Sequence, residues 1–273
     1  MLKFSANIST LFTELPFRSR FAAASMAGFD AVECQFPYAL TPGAILAELE
    51  ANRLRLVLLN APPGNWEEGE RGLAALPGRQ REFEQAMGQA FAYAEALDCR
   101  LIHVMAGVLP ATSDPDRAMD IYVENLAQAA EEARRRQITL LIEPINRRDM
   151  PGYFVSRTET ARRAIDAVAS PHLRLQFDIY HRQMTEGNVT HGLREHWDII
   201  RHIQIANPPD RRGPDEGELN FEHIFGEIRA LGYDGHIGCE YSPHGCSRAS
   251  LEWFQQHRPV RAKETSPTQV ESA

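Results

Sequence analysis

Short apolar runs rich in branched residues alternate along this chain with longer stretches whose hydrophobic positions recur at helical spacing. The short runs at residues 2–8, 31–35, 54–60, 101–105, 138–143, 173–178, 202–205 and 236–240 predict strands. The longer stretches at 18–27, 43–52, 80–97, 116–136, 158–168 and 221–231 predict amphipathic helices between them. The runs show little strict alternation, as expected of parallel strands covered on both faces. Such a succession of strand and helix fits an α/β chain closed into a (β/α)8 TIM barrel. An open doubly wound sheet would want a Gly-x-Gly-x-x-Gly turn after its first strand, and the sequence has none there.

Punctuation agrees with these boundaries. Ser113-Asp114-Pro115 sets a capping side chain and a proline before a long helical stretch. Gly28, Asp98 and Gly232 stand where helices must stop before strands. Two loops, 61–78 and 206–220, are long and rich in turn residues, which suits lids or binding loops. Residues 1–257 read as one barrel domain, and 258–273 as a polar, flexible tail without period.

Composition narrows the function. The 273 residues are 43% hydrophobic and 24% charged, enough for a large core. A net charge of -8 would repel a phosphate backbone, so no nucleic-acid partner is expected. No run approaches the roughly 20 apolar residues of a membrane span. The start lacks a secretory pattern, and the four cysteines show no Cys-x-x-Cys pairing, so a reducing cytoplasm is expected. The run from Glu131 to Arg136 reads as a solvated helix end, acids before bases.

In a parallel barrel, chemistry sits at the carboxyl ends of the strands. There the fifth strand presents Glu143, the sixth Asp178, the seventh Gln204 and the eighth Glu240. One such acid alone is a helix cap or a salt-bridged loop residue. Four oxygen-bearing side chains on successive strands converge on one rim, where three carboxylates repel and burial penalises their charge. A divalent cation relieves that repulsion, and an all-oxygen set favours Mg2+ or Mn2+ over zinc.

The segments Glu143-Pro-Ile-Asn146, Gln176-Phe-Asp178-Ile-Tyr-His181, His202-Ile-Gln204-Ile-Ala206 and Gly238-Cys-Glu240-Tyr241 resemble the hydroxypyruvate isomerase family. Phe4-Ser-Ala-Asn7, Val32-Glu-Cys-Gln-Phe36-Pro37 and Gly69-Glu-Arg-Gly72 fit the same family, and the likeness spans about residues 1–255. It implies a xylose-isomerase-like barrel acting on a small oxo or hydroxy acid. The reaction would take hydroxypyruvate to tartronate semialdehyde, or 2-oxo-tetronate to 3-oxo-tetronate. It implies one divalent metal, Mg2+ or Mn2+, held by Glu143, Asp178, Gln204 and Glu240, with Glu143 and Glu240 as the acid/base pair. His181 and Arg211 would contact substrate. A homo-oligomer is a family possibility for which no interface is legible here.

Other residues admit two readings. His103 either donates to substrate or is a satisfied structural histidine, and Asn7 and Asn60 either line the pocket or tie loops. Trp66 either covers the pocket or packs its loop. His191 and His196 read as surface residues, and Cys239 as a buried core thiol. Arg211 and Arg212 are adjacent, so either could face the substrate, and the resemblance implies a lysine in the hydroxypyruvate enzyme where this chain has Ser242. The alternatives are a ketose 3-epimerase or dehydratase on the same barrel, or a non-catalytic barrel that binds a sugar acid. Gln204 speaks against the epimerase, whose third ligand is histidine, and the Glu143–Glu240 pair against a dead scaffold. A repair endonuclease would need more histidine ligands and a basic groove. A two-carboxylate glycosidase would not need Asp178 and Gln204.

Overall fold

The computed structural model describes residues 1–257, so the expected tail at 258–273 lies outside the described residues. Strands β1 (Lys3–Asn7), β2 (Ala31–Cys34), β3 (Arg55–Asn60), β4 (Leu101–His103), β5 (Thr139–Ile142), β6 (Leu173–Asp178), β7 (Ile200–Ile205) and β8 (His236–Cys239) pair in parallel and in chain order. β8 returns to β1, with Ser5 opposite Gly238, and the sheet is a closed barrel. All the expected strands are present, with ends shifted by at most two residues.

Helices α1 (Phe17–Ala27), α2 (Pro42–Ala51), α3 (Gln80–Ala96), α4 (Pro115–Arg135), α5 (Thr158–Val168) and α8 (Phe221–Ala230) occupy the expected stretches. Their ends follow local chemistry. Asp114 accepts a hydrogen bond from the backbone N–H of Asp116, with Pro115 as the first helical residue of α4. Gly28 ends α1 at φ 107°, a left-handed conformation open to glycine, and the N–H groups of Gly28 and Phe29 take up the carbonyls of Ser25 and Ala24. At the end of α4, Glu131 and Glu132 pair with Arg134, Arg135 and Arg136 on the solvated face.

Three elements were not legible in the pattern: α6 (Ile179–Thr185), α7 (Val189–Glu195) and α9 (Glu252–His257). Each is seven residues or fewer, too short to display a helical period. His191 lies exposed on α7 as expected, whereas the His196 ring is a correction: its side chain is only 11% exposed. It caps the carboxyl end of α7 and packs inward.

The expectation of weak alternation also needs correction. Ala6, Val32, Cys34, Phe177, Ile203, Ile205, Ile237 and Cys239 belong to the apolar core. The residues between them, Ser5, Asn7, Glu33, Gln176, Asp178, His202 and Gln204, are buried and polar. Apart from Asp178, their side chains bond to one another across strands, so the polar set fills the barrel's interior while the apolar set faces the helices. An aromatic seam closes the barrel where its ends meet. Phe4 of β1 packs edge-on against Phe225, Trp253 and Phe254, and Phe254 stacks on Phe29 at 4.2 Å.

Cys34, Cys99 and Cys239 are buried and free, and Cys246 is free and exposed. Burial pushes the Cys99 thiol up to about 12 and raises Cys34 and Cys239 as well. Iodoacetamide at pH 8 should therefore modify Cys246 alone in the native protein and all four thiols after urea unfolding, as read by intact mass.

Candidate active site

At the carboxyl ends of the strands lies a cavity of about 90 Å³, lined among others by Gln35, Asn60, His103, Glu143, Gln176, His181, Arg211 and Glu240. Phe36 and Trp66 roof it, ring to ring at 5.2 Å. Trp66 does both of its expected jobs. Its ring also carries the Arg71 guanidinium at 3.7 Å, which pins the loop after β3. A larger cavity of about 600 Å³ opens at the strands' amino ends, among Lys3, Arg55, Arg100 and Arg201. Barrel chemistry belongs to the opposite face, and Arg55, Arg100 and Arg201 are paired with Asp30, Asp98 and Asp234.

The rim carboxylates are gathered around one guanidinium. Arg211 donates through Nη2 to Asp178 Oδ2 at 2.9 Å and lies 3.6 Å from Glu240 Oε1, while its Nε donates to the Glu240 carbonyl. The loop after β7 delivers it. Asn207 and Arg212 exchange two backbone hydrogen bonds at 2.8 Å, and Arg211 between them sits at φ 55°. That left-handed turn is uncommon for a long side chain and aims it into the barrel. Arg212 points elsewhere, donating to the carbonyls of Ser242 and Pro243. Arg211 is therefore the arginine that faces the cavity.

Burial dominates the electrostatics. It raises the Glu143 pKa well above the usual carboxylate range, with Asp178 and Glu240 adding repulsion. Burial likewise raises Asp178, and lifts Glu240 to about 7 against the opposing pull of Arg211. Burial would lower the pKa of Arg211, but Asp178, Glu240 and Glu143 together raise it, so it stays charged. Asp178 is also the amino cap of α6, accepting from the N–H groups of Tyr180 and His181 through Oδ1. The ordinary role of a strand-end acid and the site role coexist in its two oxygens.

His181 follows one helical turn into α6. Donor atoms of Glu143, Asp178 and His181 lie within 4.8 Å of one another, close enough to hold a metal ion. The histidine's tautomer bears on its part. Asn146 is fixed by Asp149, whose N–H donates to Oδ1 and whose carboxylate accepts from Nδ2. That same Nδ2 lies 2.7 Å from His181 Nδ1, which must accept and so leaves the proton on Nε2. Burial keeps the ring neutral, lowering its pKa well below the ordinary value. Nε2 of His181 and Nη1 of Arg211, 3.1 Å apart, are thus two donors converging on one spot.

Four buried polar atoms on the cavity wall have no partner: both ring nitrogens of His103, Glu143 Oε1 and Gln176 Oε1. Each costs roughly 1–3 kcal/mol if left unmet, and such clustering marks a place built for a ligand. Burial pushes the His103 pKa down to about 3, so it is a neutral ring 3.5 Å from Glu143 Oε2. Asn60 lines the cavity. Asn7 does not join it: its Nδ2 donates to Glu33 and its Oδ1 accepts from Ser9. Gln204 lies beside Asp178 in register, its Oε1 accepting from Gln176.

Sequence reading overlooked Gln35, whose Nε2 donates to Glu240 Oε1 at 2.6 Å, and also Glu33 and Gln176. Gln176 sits two residues before Asp178, so a period-two count along β6 would have found it, whereas Glu33 and Gln35 are two apart on the β2 segment, where no inward position had been recognised.

Comparison with known proteins places this architecture. Residues 21–257 match the xylose isomerase-like TIM barrel family. A 2-oxo-tetronate isomerase of Cupriavidus necator is 47% identical, covering 94% of this chain and 99% of that protein. The hydroxypyruvate isomerase of Escherichia coli is 41% identical, covering 94% and 100%. A crystal structure from Brucella melitensis described as an AP endonuclease, family 2, superposes with a TM-score of 0.93 at 42% identity, covering 95% and 100%.

Proposed function

The chain belongs to the xylose isomerase-like TIM barrel family, and from that membership and the geometry of its site we infer the reaction of its isomerase relatives. It is an isomerase of the hydroxypyruvate and 2-oxo-tetronate isomerase kind. A small 2-oxo hydroxy acid loses a proton from the hydroxyl-bearing C3, passes through a C2–C3 enediolate, and regains a proton at C2. The carbonyl thereby moves from C2 to C3, with no net change in atoms or electrons.

The observation that carries this reading is the set of groups around the cavity. Glu143 and Glu240 are the proton-transfer pair, both buried and both raised in pKa toward the range where a carboxylate can exchange protons at neutral pH. Arg211 and the Nε2–H of His181 offer two converging donors to a substrate carboxylate or developing oxyanion. His103, neutral and partnerless, offers a further contact to a substrate oxygen. The cavity of about 90 Å³ suits a small acid. It is far below the roughly 300–1,000 Å³ of drug-sized pockets.

The residues present fit a divalent cation. Three buried carboxylates face a single guanidinium, Glu143 Oε1 is partnerless, and every candidate donor but His181 is oxygen. Glu143, Asp178 and Glu240 with the Gln204 carbonyl oxygen would hold it, and Mg2+ or Mn2+ suits such a set. When bound, the cation supplies positive charge against the negative oxygens of the enediolate. No helix among the described residues is long and apolar enough to cross a membrane. The free thiols support residence in the reducing cytoplasm.

Incubation with hydroxypyruvate or 2-oxo-tetronate in deuterated water should place deuterium on carbon in the product. Glu143→Gln and Glu240→Gln should each lower kcat by about 10²–10⁴-fold with an unchanged circular dichroism melt. Near-normal rates in both would remove the proton-transfer assignment. A strong chelator should abolish turnover, and Mg2+ or Mn2+ should restore it. Loss of a charged hydrogen bond of about 1.5–3 kcal/mol predicts that Arg211→Ala raises KM by roughly 10–100-fold. Arg212→Ala should leave KM within about twofold, because its bonds are to loop carbonyls.

A further inference from the structure

Beneath the rim lies a carboxylate that the reaction above does not use. Glu33 of β2 is fully buried. Its Oε1 accepts from Asn7 Nδ2 at 3.2 Å and Gln204 Nε2 at 2.7 Å. Its Oε2 accepts from Ser5 Oγ at 3.0 Å and faces His202 Nε2 at 2.9 Å. Space for it is cut into β8: Gly238 stands opposite both Ser5 and Gln204, and a methyl group there would collide with both Glu33 oxygens.

We propose that Glu33 is a positioning residue that fixes which end of the Gln204 amide faces the cation site, an inference that rests on the metal reading given above. The Glu33 oxygens accept from Asn7 Nδ2 and Ser5 Oγ, and in that acceptor role they turn the Gln204 side chain so that its NH2 faces Glu33. Its carbonyl oxygen then lies on the other side, where it meets Gln176 Nε2 at 2.6 Å. Gln176 and Glu143 both line the cavity above. One acceptor on β2 thus sets the order of two amides, Gln204 on β7 and Gln176 on β6. A flipped Gln204 would present an NH2 group, which has no lone pair for a cation. Orientation of a ligand by an outer carboxylate is a general device in metal sites, with typical effects of about 10–100-fold on affinity.

The test is Mn2+ binding to metal-stripped protein, read by electron paramagnetic resonance of the free ion, for wild type, Glu33→Leu and Ser5→Ala. Glu33→Leu should bind Mn2+ about 10–100-fold more weakly. Ser5→Ala, which loosens the same hub without touching the Gln204 contact, should bind within about twofold of wild type while melting at lower temperature. Equal affinity in wild type and Glu33→Leu overturns the inference and leaves the metal reading intact. An equal loss in Ser5→Ala also overturns it, since the effect would then be general loosening of the barrel. No Mn2+ binding by wild type defeats the metal reading and this inference together. Should Glu33→Leu fail to fold, nuclear magnetic resonance of wild type labelled with ¹⁵N-glutamine decides. The Gln204 side-chain NH2, assigned by its disappearance in Gln204→Glu, should exchange slowly in deuterated water. Exchange as fast as an exposed amide overturns the inference.

Discussion

Everything at the barrel's mouth answers to the cost of burying negative charge. Glu33, Glu143, Asp178 and Glu240 are all inside, and water reaches none of them freely. The fold meets that cost in two ways. Glu33 is surrounded by hydrogen-bond donors from β1 and β7. Of the upper three, Asp178 and Glu240 share Arg211, which the tight reversal between Asn207 and Arg212 in the loop after β7 delivers to them. Charge is thus satisfied by dipoles in the lower layer and left partly uncompensated in the upper one. A buried carboxylate with an unmet oxygen holds its proton more readily than one in water, which is the property that proton transfer needs.

Much of this was legible in the residues. Branched apolar runs between helical stretches marked the eight strands, and the strand-end rule pointed to Glu143, Asp178, Gln204 and Glu240, which lie at or beside the carboxyl ends of β5, β6, β7 and β8. Asp114-Pro115 and Gly28 marked helix ends correctly because capping depends on neighbours in the chain. What escaped was information carried across strands. Glu33 looks like a lone acid in an apolar run, and only the register that brings Ser5, Gln204 and Gly238 alongside reveals its purpose. Short helices such as α6 escaped because Asp178 is both the last residue of a strand and the cap of the next helix. The choice between Arg211 and Arg212 depends on one positive φ, which neighbouring residue types do not dictate.

The interior polar layer and the exterior apolar layer divide the work. Strands with Ile, Val and Phe turned outward pack against the helices, and the seam of Phe4, Phe225, Trp253 and Phe254 holds the first and last strands together. Each fully buried aromatic contributes on the order of 1.5–3 kcal/mol, so this shell stabilises the barrel without help from the site. The inner layer runs the other way, since unpartnered His103, Glu143 and Gln176 atoms cost stability. Site and scaffold therefore face different selection. Neutral substitutions inside the mouth relieve buried charge and leave the shell untouched, so loss of reaction there need not carry loss of fold. Period-two alternation along each strand keeps the two sets of side chains apart, so the chemistry at the mouth can vary while the outer packing stays in place.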